Sequence, residues 1–295
     1  NVGLLCNAEV DFVDIDSETY NMCSTALSMK LRDAEKNGKL PKIVMPVHFA
    51  GQSCDMVNIK KLSEKYNFKI IEDASHAIGG IYKNTKIGSC KFSDITVFSF
   101  HPVKIITTAE GGCATTNDEN IFEKLKLLSS HGVTRNPKNM VKKTLDKWVY
   151  DQISIGFNYR MSDLNAALGL SQLLRIDSFI NKRNKIAKKY FQQLKNLDLK
   201  LPKQEDYNSS ALHLFPIQVN NRKKIYNLLH RNDIKVNVHY RPIHTQPFWQ
   251  NRGFKFGLFP NSELYYSKAI SLPIFYDLND EMQDCVINVL QKSCL

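Results

Sequence analysis

ITVFSFHPVKIITTAEGG, residues 95–112, is the stretch whose reading decides the fold. It opens on the apolar run 95–98, short enough for one buried strand, and then turns polar at Ser99. Pro102 breaks the chain, Lys104 follows five residues after Ser99, and Gly111-Gly112 allows a close backbone approach or a bulge. A second stretch has the same design. In IIEDASHAIGG, residues 70–80, the apolar pair Ile70-Ile71 is followed by Asp73 and then His76. Two apolar runs that each end on chemistry-bearing side chains point to an open α/β sheet, where ligands gather beyond the carboxyl ends of the strands.

Working outward, apolar runs and amphipathic stretches alternate. Strands are expected at 43–47, 68–71, 95–98 and 113–116. Helices are expected at 58–66, where Ile59, Leu62 and Tyr66 keep helical spacing, and at 118–130, with Asn117 or Asp118 as N-cap. This alternation predicts a mostly parallel sheet with flanking helices. Residues 138–155 read as an irregular connection. The stretch 162–174 reads as an Ala- and Leu-rich helix capped by Ser162, and 178–197 as a long helix with a basic face. Strands at 212–219 and 236–240 and helices at 221–231 and 279–292 make the last third a smaller α+β module. The expected division is residues 1–175 and 176–295.

Composition narrows the function classes. Forty basic and 29 acidic residues give a net charge of +11, but the basic pairs Lys60-Lys61, Lys142-Lys143, Lys188-Lys189 and Lys223-Lys224 are scattered along the chain. No nucleic-acid motif accompanies them, so the charge reads as a lysine-rich surface. No apolar run is long enough for a membrane span. The seven cysteines, Cys6, Cys23, Cys54, Cys90, Cys113, Cys285 and Cys294, include no C-x-x-C pair. A reduced, cytoplasmic protein without a metal centre is expected.

A lysine, a carboxylate and a hydroxyl, each at the end of a strand, suit pyridoxal 5′-phosphate. Lys104 supplies an amine for the aldehyde, with apolar Phe98, Phe100, Pro102 and Ile105 to lower its pKa. Asp73 supplies an anion for the pyridinium nitrogen. His76 suits the ring or its phenolic oxygen, and Ser99 the phosphate. Read singly, a loop lysine, a turn aspartate, a packed histidine and a strand-end serine are ordinary structural residues. Their order and spacing carry the reading.

These motifs, EDASHA with Asp73 and His76, and SFHPVK with Ser99 and Lys104, resemble those of the DegT/DnrJ-type sugar aminotransferases, which are fold-type I enzymes. The resemblance covers essentially the whole chain. It includes residues 8–16 with Thr19-Tyr20, the PVHFAGQ segment at 46–52 and GFNYRMS at 156–162. It implies that Asn158 is donated to the phosphate site of a partner subunit, and hence a homodimer. Within the family, residues 130–135, 238–247 and 271–274 look most like the branch making 4-amino sugar nucleotides for pseudaminic acid. That implies transfer from L-glutamate to C4 of a UDP-linked 4-keto-6-deoxy-N-acetylhexosamine, with Arg135, His239, Tyr240 and Arg241 near the sugar nucleotide.

Alternatives remain at this level. A related sugar dehydratase of the same fold is implied to carry a histidine where Lys104 stands. A catalytically inactive binding or regulatory protein would keep the fold alone. The family places a phosphate-binding Gly-Thr segment and a ring-stacking aromatic ahead of the position of Asn1. The resemblance therefore also carries the expectation of a missing N-terminal part and of little activity in the chain as written.

Overall fold

In a computed structural model, residues 1–141, 146 and 148–293 are described. The expected basic pair Lys142-Lys143 and Cys294 lie outside the described residues. The main sheet takes its strands from the Ile- and Val-rich runs. β1 (Ile43–Val44), β2 (Lys69–Asp73) and β3 (Ile95–Ser99) are parallel neighbours, and β4 (Gly112–Thr115) lies antiparallel on the far side of β3. The register sets Ile71 opposite Ile95, Asp73 opposite Val97 and Ser99 opposite Gly112. Asp73 and Ser99 are thus the last residues of two adjacent strands pointing the same way.

Helices α1 (Ser24–Lys36) and α2 (Met56–Tyr66) cover this sheet. Their apolar faces, Leu27 and Leu31 with Met56 and Ile59, pack on Val44, Phe68 and Ile70. Ile59 and Ile70 are fully buried, and each such side chain contributes about 1.5–3 kcal/mol. The passage from β2 to β3 contains no helix. A small hairpin, Ile81–Tyr82 against Thr85–Lys86, makes it instead.

Beyond β4 come α3 (Glu119–Ser129) and α4 (Asp163–Leu173). The side chain of Asp118 accepts from the N–H groups of Asn120 and Ile121, and Ser162 Oγ accepts from Asn165 N–H. These are the caps expected from the sequence. Neither helix contains a buried residue. Leu164 and Leu174 are 85% and 81% exposed, as is Ile155 at 86%. The expected irregular stretch at 138–155 contains a short strand, Asp151–Gln152, paired with Val133–Thr134.

The last third builds an antiparallel sheet from β5 (Leu199–Lys200), β6 (Phe215–Val219) and β7 (Ala269–Leu272), with β6 in the centre. Helices α5 (Ile176–Leu194), α6 (Arg222–Arg231), α7 (Pro260–Lys268) and α8 (Asp280–Gln291) accompany it. Tyr190, Leu194, Phe215, Ile217, Leu229, Ile270 and Leu290 form its core. The strand expected at 236–240 is not formed. Only Asn237 bridges to Ser271, through Ser271 N–H to Asn237 O at 2.8 Å. The open edge of β7 takes only this one bridge, because beyond Asn237 side chains hold the chain instead: Ser271 Oγ lies 2.8 Å from His239 Nδ1, and Tyr265 Oη donates to His239 O at 2.8 Å. Likewise the strand expected at 212–219 starts only at Phe215. Among the described residues, no helix is long and apolar enough to cross a membrane, and no group of His, Cys, Asp and Glu is arranged for a metal ion. The six described cysteines are free thiols.

Candidate active site

The end of β2 is fixed by its backbone. Asp73 N–H donates to Pro46 O (2.9 Å), His48 N–H to Asp73 O (3.0 Å) and Ala74 N–H to Val97 O (2.8 Å). Successive side chains of a strand point to opposite faces. Asp73 is half-buried, and its Oδ1 accepts from Ser75 N–H at 3.0 Å, an Asx turn that orients the carboxylate.

Glu72 points the other way and is buried. Its carboxylate accepts from His48 Nε2 (2.6 Å), Thr96 Oγ1 (3.2 Å) and Ser93 Oγ. His48 Nδ1 accepts from Cys54 N–H at 3.1 Å, so Nε2 carries the proton given to Glu72. Burial pushes the Glu72 pKa up most strongly, yet the bonds from His48, Ser93 and Thr96 together hold it below its ordinary value.

Lys104 stands on the short loop after β3. Lys104 N–H donates to His101 O (2.9 Å), and Thr108 N–H returns to Phe100 O (3.0 Å). The next two residues, Ile105 and Ile106, are buried against Phe179, Ile180 and Ala211. Gly111 allows this loop to close: a Cβ there would meet Thr108 Oγ1 at 2.3 Å and Met161 Cε at 2.8 Å. The close approach expected of the two glycines is therefore to the chain itself.

Burial lowers the Lys104 pKa, and the charge of Asp73 offsets part of the shift. Desolvation, then Lys104, push His76 down to about 4 against the pull of Asp73. Burial, then Lys104, also lower His239, while burial and Asp73 raise Tyr240. The site is thus one electrostatic neighbourhood, with Lys104 and Asp73 both acting on His76.

Rings complete it. His76 lies 4.6 Å from the ring of His213 and 6.3 Å from that of Tyr240, centroid to centroid, and its Nδ1 accepts from Ala50 N–H at 3.3 Å. Lys104, Asp73 and His76 are therefore brought together. Ser99, half-buried, sits at the neighbouring strand end, where its Oγ accepts from His101 N–H at 3.4 Å. Asn158 is exposed on a segment that pairs with Ser130 at the end of α3, and no contact among the described residues joins it to Lys104. His213 was missed in the sequence because it heads an apolar run and reads as part of a strand. A lone histidine ahead of Phe215 was the only signal.

A cavity of about 390 Å³ lies elsewhere, lined by Lys200, Gln218, Asn220, Asn261, Leu264 and Lys268 among others. None of the five expected site residues lines it.

The chain matches the model of the DegT/DnrJ/EryC1/StrS aminotransferase family over residues 1–291. It belongs to this family. It is 35% identical over 99% of its length to the UDP-4-amino-4,6-dideoxy-N-acetyl-beta-L-altrosamine transaminase of Campylobacter jejuni, covering 76% of that protein. Among solved structures it superposes on Helicobacter pylori PseC, an aminotransferase involved in pseudaminic acid biosynthesis, with a TM-score of 0.88 and 31% identity over 99% of this chain and 75% of that one. A Streptococcus pneumoniae protein solved in PLP, PMP and apo forms matches with a TM-score of 0.86 and 28% identity in its PLP form, over 99% of this chain and 77% of that one. The fold is fold-type I, the enzyme class is PLP-dependent sugar aminotransferase, and the cofactor is pyridoxal 5′-phosphate. The residues present fit that cofactor: an amine of lowered pKa, a carboxylate felt by it, and a buried histidine ring between further aromatic rings.

Proposed function

We propose that this aminotransferase moves the amino group of L-glutamate to the C4 keto group of a UDP-linked 4-keto-6-deoxy-N-acetylhexosamine, in a route to pseudaminic acid. The observation that carries the reading is the near full-length similarity to the altrosamine transaminase, joined to a lysine and an aspartate that share one site. The bound cofactor would supply an electrophilic carbonyl and an electron sink. Lys104 would be the residue that holds it covalently and, when free, takes and returns the proton at the substrate carbon. Its lowered pKa suits both tasks, since only the neutral amine acts as nucleophile or base. Asp73 would hold the pyridine nitrogen protonated, His76 would contact the ring edge and Ser99 would donate to the phosphate. The division at residue 175 belongs to this reading, with residues 1–175 bearing the cofactor, as does a cytoplasmic setting for its metabolite substrates.

The test is product analysis with L-glutamate and a panel of UDP- and dTDP-linked keto sugars. Formation of a UDP-linked 4-amino sugar is expected. A product aminated at C3, or turnover restricted to dTDP sugars, would overturn the substrate assignment.

The same proposal includes a homodimer in which Asn158 completes the site of the partner. What supports it is the exposed apolar surface around Asn158, where Ile155, Phe157, Tyr159, Leu164 and Leu170 face outward. Contiguous apolar surface of this kind marks an interaction face. Asn158→Ala and Lys104→Ala should each be nearly inactive alone. Refolded together, they should recover about a quarter of the wild-type activity, the share given by random exchange between two-site dimers. No recovery in the mixture, with both variants dimeric, would refute the shared site.

A further inference from the structure

His213 comes from the other half of the molecule. It precedes β6, whose Phe215 and Ile217 are fully buried in the C-terminal core. Two hydrogen bonds dock this segment on the loop after β1: Ala211 N–H to Gly51 O (3.0 Å) and Leu214 N–H to Ala50 O (3.3 Å). Gly51 makes the contact possible, with a φ of +106° and no room for a side chain, since a Cβ would lie 2.6 Å from Leu212 N. From α5, the buried guanidinium of Arg183 donates through Nη1 to Leu212 O (3.2 Å), His213 O (3.3 Å) and Ile274 O (2.9 Å). His213 is 6% exposed, its Nδ1 has no hydrogen-bond partner among the described residues, and its ring lies on that of His76 at 4.6 Å with a 40° tilt.

The Ala50–Gly51 segment thus serves two contacts. It receives the His213 segment through its carbonyls, and it gives Ala50 N–H to His76 Nδ1. A nitrogen that accepts carries no hydrogen, so the His76 proton sits on Nε2.

We propose that His213 is a positioning residue: clamped by Arg183, its ring and the Ala50 amide hold His76 as a neutral imidazole that presents Nε2–H to the Lys104–Asp73 site. The inference rests on reading His76 as a contact of the cofactor. It adds that a second part of the chain sets the protonation state of that contact. The groups around His76 are Lys104 from the loop after β3, Asp73 from β2, Phe49 and Ala50, and His239 and Tyr240 from the 239–240 turn. Of these, Lys104 and His239 oppose a positive charge on His76 and Asp73 favours one. The His213 ring packs on His76 as well, and both rings are buried. Desolvation is the largest cause of the low His76 pKa, so the ring is well placed to matter.

The experiment uses the cofactor-free chain labelled with ¹⁵N-histidine, and follows the ring nitrogens of His76 by long-range ¹H–¹⁵N correlation against pH. In the wild type, His76 should show the Nε2–H tautomer and remain neutral down to about pH 5. In His213→Ala, its midpoint should rise by about one pH unit or more toward the ordinary 6.5, with the imidazolium form appearing at correspondingly higher pH. In His213→Phe, which keeps the ring and the dryness, the midpoint should stay low. A His76 midpoint unchanged in His213→Ala overturns the proposal. So does a wild-type His76 that carries its proton on Nδ1 or titrates near 6.5, a result that needs no variant to fold. No substrate or cofactor enters the measurement, so a failed aminotransferase assay leaves this outcome readable, and a failed titration leaves the aminotransferase reading intact.

Discussion

Lys104→Ala is expected to lower turnover by at least about 10⁴-fold while leaving the fold intact. The variant loses the amine that would hold the cofactor and the base that would move the substrate proton, so two contributions disappear together. Its stability should not fall. Lys104 Nζ donates no hydrogen bond among the described residues, and its folded pKa lies below the ordinary 10.5. The sign follows from proton linkage. Between the folded and unfolded pKa values the unfolded chain binds more protons, so stability rises with pH across that window. Below it, the folded protein carries an ammonium in a site that disfavours it. Removing the side chain relieves that cost, and the melting temperature at pH 7 should match or slightly exceed the wild type. Two readouts check this: the visible band of cofactor-loaded protein, bleached by borohydride in the wild type and missing in the variant, and calorimetry. A variant that keeps the bleachable band would assign the covalent role to another amine. A variant that loses several degrees of melting temperature would make Lys104 a structural residue.

The sheet was legible because its strands are short β-branched runs and its helices carry period-3.6 faces with side-chain caps. Asp118, Ser162 and Asn279 each accept from the first-turn amides that their positions call for. Asp73, His76, Ser99 and Lys104 were legible because all sit at strand ends or within five residues past them, where local sequence determines position. The reading failed where long-range contacts decide. Residues 236–240 have strand propensity, but beyond Asn237 the Tyr265 hydroxyl takes the carbonyl of His239 in place of the open edge of β7, and tertiary context overrode the local preference. His213 reaches His76 across 137 positions of sequence through the Gly51 contact, which no local pattern announces. Asn158 was read through family resemblance, and among the described residues no contact joins it to another expected site residue.

Glu72 shows what lay next to a legible residue and escaped notice. The strand period already separates Glu72 from Asp73, one toward the core and one toward the site. It does not say that His48, and Ser93 with Thr96 at the start of β3, converge on the buried carboxylate. Glu72→Gln is therefore expected to cost about 3 kcal/mol or more of stability, because charge-assisted hydrogen bonds are lost and a buried donor left unpaired costs about 1–3 kcal/mol. A glutamine amide offers one acceptor oxygen where three donors arrive, and its NH₂ would face a donor. His48 cannot change tautomer to adapt, because Cys54 N–H occupies Nδ1. Glu72→Ala should cost at least as much, leaving those donors dry. The pH dependence gives an independent check. With its folded pKa below the ordinary 4.5, Glu72 contributes stability that is present above that value and is lost as pH falls through the folded one. Urea denaturation from pH 7 down to pH 3 should show the wild type falling faster than Glu72→Gln, so that the gap between them narrows in acid. Because His48 N–H also holds Asp73 O, loosening this cluster should weaken cofactor binding as well, although Glu72 faces away from the site. A Glu72→Gln protein within about 0.5 kcal/mol of the wild type, the range of ordinary surface substitutions, would show that the buried carboxylate is dispensable and that Asp73 is held by the sheet alone.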